Sequence, residues 1–146
     1  MEAADPHAGK TVLFLCTGNS CRSQMAEAIV NSGKAGAWTA SSAGSRPAGF
    51  VHPMAIRVLA EVGIEVRGAR SKAVGEFSGR SFDLVVTVCS KAAEECPVWL
   101  GQGRRMHLEY PDPAKADGEE ERVLAAFRAV RDDMLRDLPG LLRRMA

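Results

Sequence analysis

Apolar residues fall into two kinds of run along the chain. Thr11-Val12-Leu13-Phe14-Leu15 is a short apolar run that predicts a strand over about Thr11 to Cys16, and Asp83-Leu84-Val85-Val86-Thr87-Val88 is nearly continuous, the signature of a strand buried on both faces. Trp38-Thr39-Ala40-Ser41-Ser42 reads as a shorter strand and Arg105 to Glu109 as a weaker one. Between these the period lengthens. Met25, Ala26, Ile29 and Val30 recur at helical spacing and predict a helix over about Arg22 to Ser32, ended by Gly33 and Gly36. Pro53 opens and Gly63 closes a second helix over about Pro53 to Val62, and a short one fits between Arg70 and Phe77. Val123, Leu124, Phe127, Val130, Met134 and Leu138 form the apolar stripe of the longest helix, Glu119 to Arg136. Its acidic start, Glu119-Glu120-Glu121, suits the helix dipole. Ala43-Gly44-Ser45-Arg46-Pro47 reads as a turn. Strands alternating with helices predict an α/β fold. We expect one domain over residues 11–146, a four-stranded parallel sheet flanked by helices on both faces, with residues 1–10 a disordered lead-in.

Bulk properties narrow the function classes. The 146 residues carry 19 basic and 18 acidic side chains, so no net field draws the chain to nucleic acid or membrane. No apolar run approaches the roughly 18 residues of a membrane span. Met1 to Lys10 lacks the basic start and apolar stretch of a secretory leader. A cytoplasmic monomer is expected, and there structural disulfides are rare. The four cysteines, Cys16, Cys21, Cys89 and Cys96, contain no C-x-x-C pair and have no histidine pair beside them. No metal site is therefore expected. His7, His52 and His107 read as incidental, and Trp38 and Trp99 as core.

That leaves nucleophilic or redox chemistry for the thiols. Cys16-Thr17-Gly18-Asn19-Ser20-Cys21-Arg22-Ser23 joins the first strand to the first helix. In open α/β sheets the binding crevice lies at the carboxyl ends of the strands, which is where this loop begins. Loop amides at a helix N-terminus attract an anion, and Arg22 adds a bidentate fork. Those groups favour a thiolate at Cys16, and Ser23 could donate to it. Together they equip Cys16 to attack a tetrahedral oxyanion held by Thr17, Gly18, Asn19, Ser20, Cys21, Arg22 and Ser23. Cys21 reads as a packing residue, with a bridge to Cys16 under oxidation as the alternative.

The run from Val12 to Glu27 resembles arsenate reductases built on the low-molecular-weight tyrosine phosphatase fold. The resemblance continues through Ser42-Ala43-Gly44, Asp83 to Cys89, Cys96-Pro97 and Asp112-Pro113, covering about residues 11 to 138. The loop alone fits phosphatases and reductases equally; Cys89 and Cys96 favour the thioredoxin-coupled reductases. What the resemblance implies is a relay. Cys16 attacks arsenate while Asp112 protonates the departing oxygen. Cys89 attacks Cys16 and arsenite leaves, then Cys96 attacks Cys89. Thioredoxin reduces the Cys89–Cys96 disulfide, and no metal or organic cofactor takes part.

Geometry makes the first exchange reasonable. If the strands ending in Cys16 and Cys89 are neighbours, they lie about 4.8 Å apart, within the roughly 4.4–6.8 Å a disulfide needs between Cα atoms. Cys89 and Cys96, if joined by helix, would stand about 10 Å apart along its axis. The intervening segment would have to unwind for them to bond. Some relatives hold potassium where Asn19, Glu27 and Ser42 match. Lys72 stands where an acidic ligand would complete that site, so no potassium dependence is expected. The alternative reading is a low-molecular-weight protein tyrosine phosphatase hydrolysing aryl phosphates through a cysteinyl-phosphate intermediate. Ala114, where those enzymes commonly place an aromatic residue, speaks against it. A non-enzymatic thiol-relay or arsenic-sensing module would need an inactive loop, and nothing in Cys16–Ser23 looks inactive.

Overall fold

The computed structural model describes residues 9–90, 99 and 101–145. Its elements run β1 (Thr11–Cys16), α1 (Arg22–Ile29), β2 (Thr39–Gly44), α2 (Pro53–Ala60), β3 (Leu84–Thr87), β4 (Arg104–His107) and α3 (Glu120–Arg144). Single 3-10 turns occupy Val74–Phe77 and Pro113–Lys115. The strands pair in parallel in the order β2-β1-β3-β4. The most apolar strand, β1, is thus central, as its lack of polar alternation requires.

Side-chain alternation divides the core in two. Val12, Phe14, Leu84 and Val86 face α1, α2 and α3 in the larger cluster. Leu13, Leu15 and Val85 face the opposite way, onto Ala43, Phe77, Phe82 and Trp99. Helical cover is therefore unequal. Among the described residues all three α-helices share one face, and the other carries the Val74–Phe77 turn and an aromatic group. Both tryptophans are buried in the core, Trp38 donating to the Leu142 carbonyl and Trp99 to that of Gln102.

Several boundaries differ from the sequence reading by a residue or two, and three differ in ways that bear on the fold. The longest helix does not stop at Arg136 but continues to Arg144 through Pro139. A proline inside a helix costs about 3 kcal/mol. Leu138 and Leu142 are both fully buried, and each contributes about 1.5–3 kcal/mol by leaving water, which offsets the break. The predicted turn at Ala43-Gly44 is instead the end of β2, paired with Leu15 and Cys16. The helix predicted to Ser32 loses regular geometry after Ile29 and widens into a π-type turn over Val30–Lys34. Of the predicted lead-in only Gly9 and Lys10 are described, and the Lys10 carbonyl accepts from the Thr39 N–H. No helix among the described residues is long and apolar enough to cross a membrane.

Candidate active site

Cys16 is the last residue of β1 and is buried. The loop after it wraps a sulfur atom, and a clamp outside the loop explains how. The carbonyls of Cys16, Thr17, Gly18 and Ser20 accept from the N–H groups of Ser45, Arg46, Ala48 and His52. In a trans peptide the C=O of one residue and the N–H of the next point in opposite directions. Tying these carbonyls outward therefore turns the N–H groups of Thr17, Gly18, Asn19 and Cys21 to the inner side. Asn19 shows the result, its N–H lying 3.3 Å from Cys16 Sγ.

Asn19 adopts φ 47, a left-handed conformation uncommon outside glycine. Its side chain holds it there. Asn19 Oδ1 accepts from the Lys72 backbone N–H at 2.8 Å and from Gln24 Nε2 at 3.1 Å, and Asn19 Nδ2 donates to Ser23 Oγ at 2.8 Å. A backbone N–H can only donate, so the atom facing Lys72 must be the amide oxygen. Ser23 Oγ then accepts from Asn19, and its single hydrogen is left for Cys16 Sγ, 2.8 Å away. Two donors end on one sulfur, the solvation a sulfur nucleophile needs. β2 closes this arrangement from below. A Cβ on Gly44 would stand 2.4 Å from the Thr17 carbonyl and 2.9 Å from the Asn19 nitrogen, so only glycine fits.

The opposite wall comes from the segment after β4. Arg22 is buried, and its guanidinium donates to the Tyr110 carbonyl at 3.2 Å while Asp112 Oδ2 lies 3.8 Å away. Asp112 caps its own 3-10 turn by accepting from the Ala114 N–H at 3.0 Å, and its side chain is partly exposed. Between the walls lies a cleft of about 200 Å³ lined by Cys16, Gly18, Ser20, Cys21, Arg22, Ala48, Asp112 and Ala114. That is smaller than the roughly 300–1,000 Å³ of sites for drug-sized ligands and suits a small anion.

The remaining thiols differ. Burial pushes the Cys21 thiol up to about 12; the charges of Asp112 and Cys16 reinforce this, and the Ser20 hydrogen bond and Arg22 oppose it. Cys21 is thus a neutral packing thiol beside Cys16. Cys89 follows β3, the strand paired with β1, and is buried and disulfide-bonded, whereas Cys16 and Cys21 are free. Cys96 lies outside the described residues.

Asn19, Glu27, Ser42 and Lys72 do come together. Ser42 Oγ donates to Glu27 Oε1 at 2.7 Å and Lys72 Nζ lies 3.8 Å from the same oxygen. His52 is structural: its Nδ1 accepts from the Met54 N–H at the start of α2, and its ring packs 4.7 Å from that of Phe127. Burial lowers its pKa. His107 bonds Thr87 Oγ1 at 2.6 Å, and His7 lies outside the described residues. Sequence reasoning missed the outer clamp at residues 45–52, Gln24 and the Tyr110 carbonyl, because most of these act through backbone atoms, which side-chain identity does not reveal. No group of three or more His, Cys, Asp or Glu among the described residues could hold a metal.

Comparison with known proteins agrees with this geometry. Residues 11–146 match the model of the low molecular weight phosphotyrosine protein phosphatase family. The chain is 42% identical over 125 residues to an arsenate reductase of Halalkalibacterium halodurans, covering 86% of this chain and 89% of that protein. Against an arsenate reductase of Bacillus subtilis the identity is 41% over the same shares. Among solved structures, an arsenate reductase from Archaeoglobus fulgidus superposes with a TM-score of 0.75 at 32% identity, covering 90% of this chain and 98% of that one.

Proposed function

The chain belongs to the low molecular weight phosphotyrosine protein phosphatase family, and from that premise we propose that it is a cytoplasmic arsenate reductase that uses its thiols as a relay. One observation carries the choice over hydrolysis. Cys89, at the end of the strand beside β1, is disulfide-bonded while the nucleophile Cys16 is free. A phosphatase needs Cys16 alone. A reductase needs a second thiol within reach and a place to store the oxidising equivalents.

The steps balance as follows. Arsenate sits against the inner N–H groups and Arg22, and the Cys16 sulfur attacks arsenic. An oxygen leaves as water with a proton supplied by Asp112, giving a thiol–arsenate adduct. Cys89 attacks Cys16 Sγ; the S–As electron pair passes to arsenic, arsenite departs, and a Cys16–Cys89 disulfide remains. Cys96, the chain's remaining cysteine, attacks Cys89 and frees Cys16. Thioredoxin, a dithiol protein, returns the Cys89–Cys96 pair to thiols. No metal or organic cofactor takes part. The Lys72 ammonium beside Glu27 and Ser42 occupies ground a monovalent cation would need, so exchanging sodium for potassium at fixed ionic strength leaves turnover unchanged.

The deciding assay is NADPH consumption with arsenate, thioredoxin and thioredoxin reductase. Cys16→Ser abolishes it. Cys96→Ser permits one turnover and traps Cys16–Cys89, visible by mass spectrometry of non-reduced peptides. Sustained turnover by Cys89→Ser would overturn the relay. The family's hydrolytic chemistry favours one accompanying activity, slow cleavage of aryl phosphates, because phosphate shares arsenate's shape and charge.

A further inference from the structure

A lysine is held beneath the nucleophile loop in a way that simple packing does not require. Lys72 touches the loop twice, through different atoms. Its backbone N–H holds Asn19 Oδ1, the contact that directs Ser23 toward Cys16. Its side chain, only 12% exposed, returns to the same region. There Nζ donates to the Arg70 carbonyl at 2.9 Å and stands 3.8 Å from Glu27 Oε1. Glu27 is one turn along α1 from Ser23, and Ser42 Oγ donates to it from the buried middle of β2. The Arg70 carbonyl also accepts from Gln24 Nε2 at 2.8 Å, the same nitrogen that donates to Asn19. The Lys72 carbonyl accepts from Gly44 N–H at 2.8 Å, fastening the segment to β2.

We propose that Lys72 is a positioning residue for Cys16: its trapped ammonium neutralises the Glu27 carboxylate behind the anion loop, so that Gln24, Asn19 and Ser23 stay directed toward the Cys16 sulfur. The inference rests on the reading of Cys16 as the nucleophile for arsenate. A half-buried carboxylate without a cation would set a negative charge behind a loop that must receive an anion. It would also draw Ser42, water or the Gln24 amide toward itself, at the expense of the chain Gln24–Asn19–Ser23–Cys16. Burial lowers the lysine's pKa while Glu27 and Glu76 act in the opposite direction, so the ammonium is held in place by its partners rather than by solvent.

Charge pairing and mere packing predict different double-mutant behaviour. The variants are K72M, K72R, E27Q and K72M/E27Q, each read by steady-state arsenate kinetics with thioredoxin and by thermal melting. K72M leaves the carboxylate unpaired and lowers kcat/KM by about 10–100-fold, the scale of a small misplacement at a reacting centre. K72R keeps the charge and retains most of the activity. K72M/E27Q removes both charges and recovers most of what K72M loses. If K72M does not fold, the double variant decides alone: kinetics near wild type support the pairing, and a loss as large as that expected of K72M overturns it. Equal losses in K72M and K72R, or wild-type kinetics in K72M, would overturn it as well. Cys16→Ser, run in parallel, separates the premises. If it still turns over arsenate, the nucleophile reading fails; if it is dead while K72M is intact, only the role of Lys72 fails.

Discussion

The two walls of the active-site cleft are built on opposite plans. The Cys16–Ser23 wall is mostly buried and tied on several sides: to residues 45–52 through its carbonyls, to Gln24 and Lys72 through Asn19, and to β2 through the close approach of Gly44. The Asp112 wall is partly exposed and more lightly held: its carboxylate caps its own turn and stands 3.8 Å from Arg22, and Tyr110 ties the segment to α3 through Asp137. The difference matches the tasks proposed for them. A nucleophile and an anion cradle gain from geometry set before substrate arrives. A proton donor must meet an oxygen whose position changes as the bond breaks, and must exchange its proton with water afterwards.

Substitutions on each wall test that contrast. The largest effect is expected for Arg22→Lys, because a point charge cannot reproduce the fork that donates to the Tyr110 carbonyl and faces the anion. Arsenate kcat/KM should fall by about 10²–10³-fold. Asp112→Asn should cost about 10²-fold in kcat with an unchanged melting temperature, since an asparagine oxygen still caps Ala114. A comparable fall in melting temperature would show this wall to be as tightly built as the other. Ser23→Ala removes a donor to the Cys16 sulfur and should slow the first chemical step by about 10-fold, the worth of one hydrogen bond at a reacting atom. Single-turnover arsenate consumption reads this directly.

The smallest effect concerns Cys21 and appears only in alkali. Its thiol is raised from 9.0 to about 12 in the folded state. The neutral form is thus favoured by folding. That contribution is complete below pH 9 and is lost as pH climbs toward 12, because the unfolded chain ionises first. Cys21→Ala should therefore flatten the alkaline decline of the urea midpoint relative to wild type. Identical slopes in the two proteins would show that the burial of this thiol carries no linkage.

How much of this was legible beforehand varies by residue. β1 was read with its full extent, since five apolar positions in six allow little else. α3 was read only to Arg136; that it runs on through Pro139, a strong local stop signal, depends on the burial of Leu138 and Leu142, which is a tertiary fact. Cys16, Arg22 and Ser23 were legible by residue type and spacing, whereas Asp112 was marked only by the family resemblance. Their partners were not: the clamp at residues 45–52 and the Tyr110 carbonyl act through backbone atoms. Lys72 stood out only because a resemblance marked its position, and its contact with Glu27 spans 45 residues of sequence.

By itself, then, the sequence determined which chemistry this protein can perform. A thiol, a guanidinium and a carboxyl are fixed by residue type, and a strand-loop-helix pattern puts the first two at a helix N-terminus. Only the tertiary structure decided how that chemistry is aimed. Which way a peptide plane faces, which oxygen of an amide meets a donor and whether Ser23 gives or receives a hydrogen all depend on groups brought together from distant segments. Backbone hydrogen bonds have direction but no side-chain identity, so the pattern of residues along the chain does not record them.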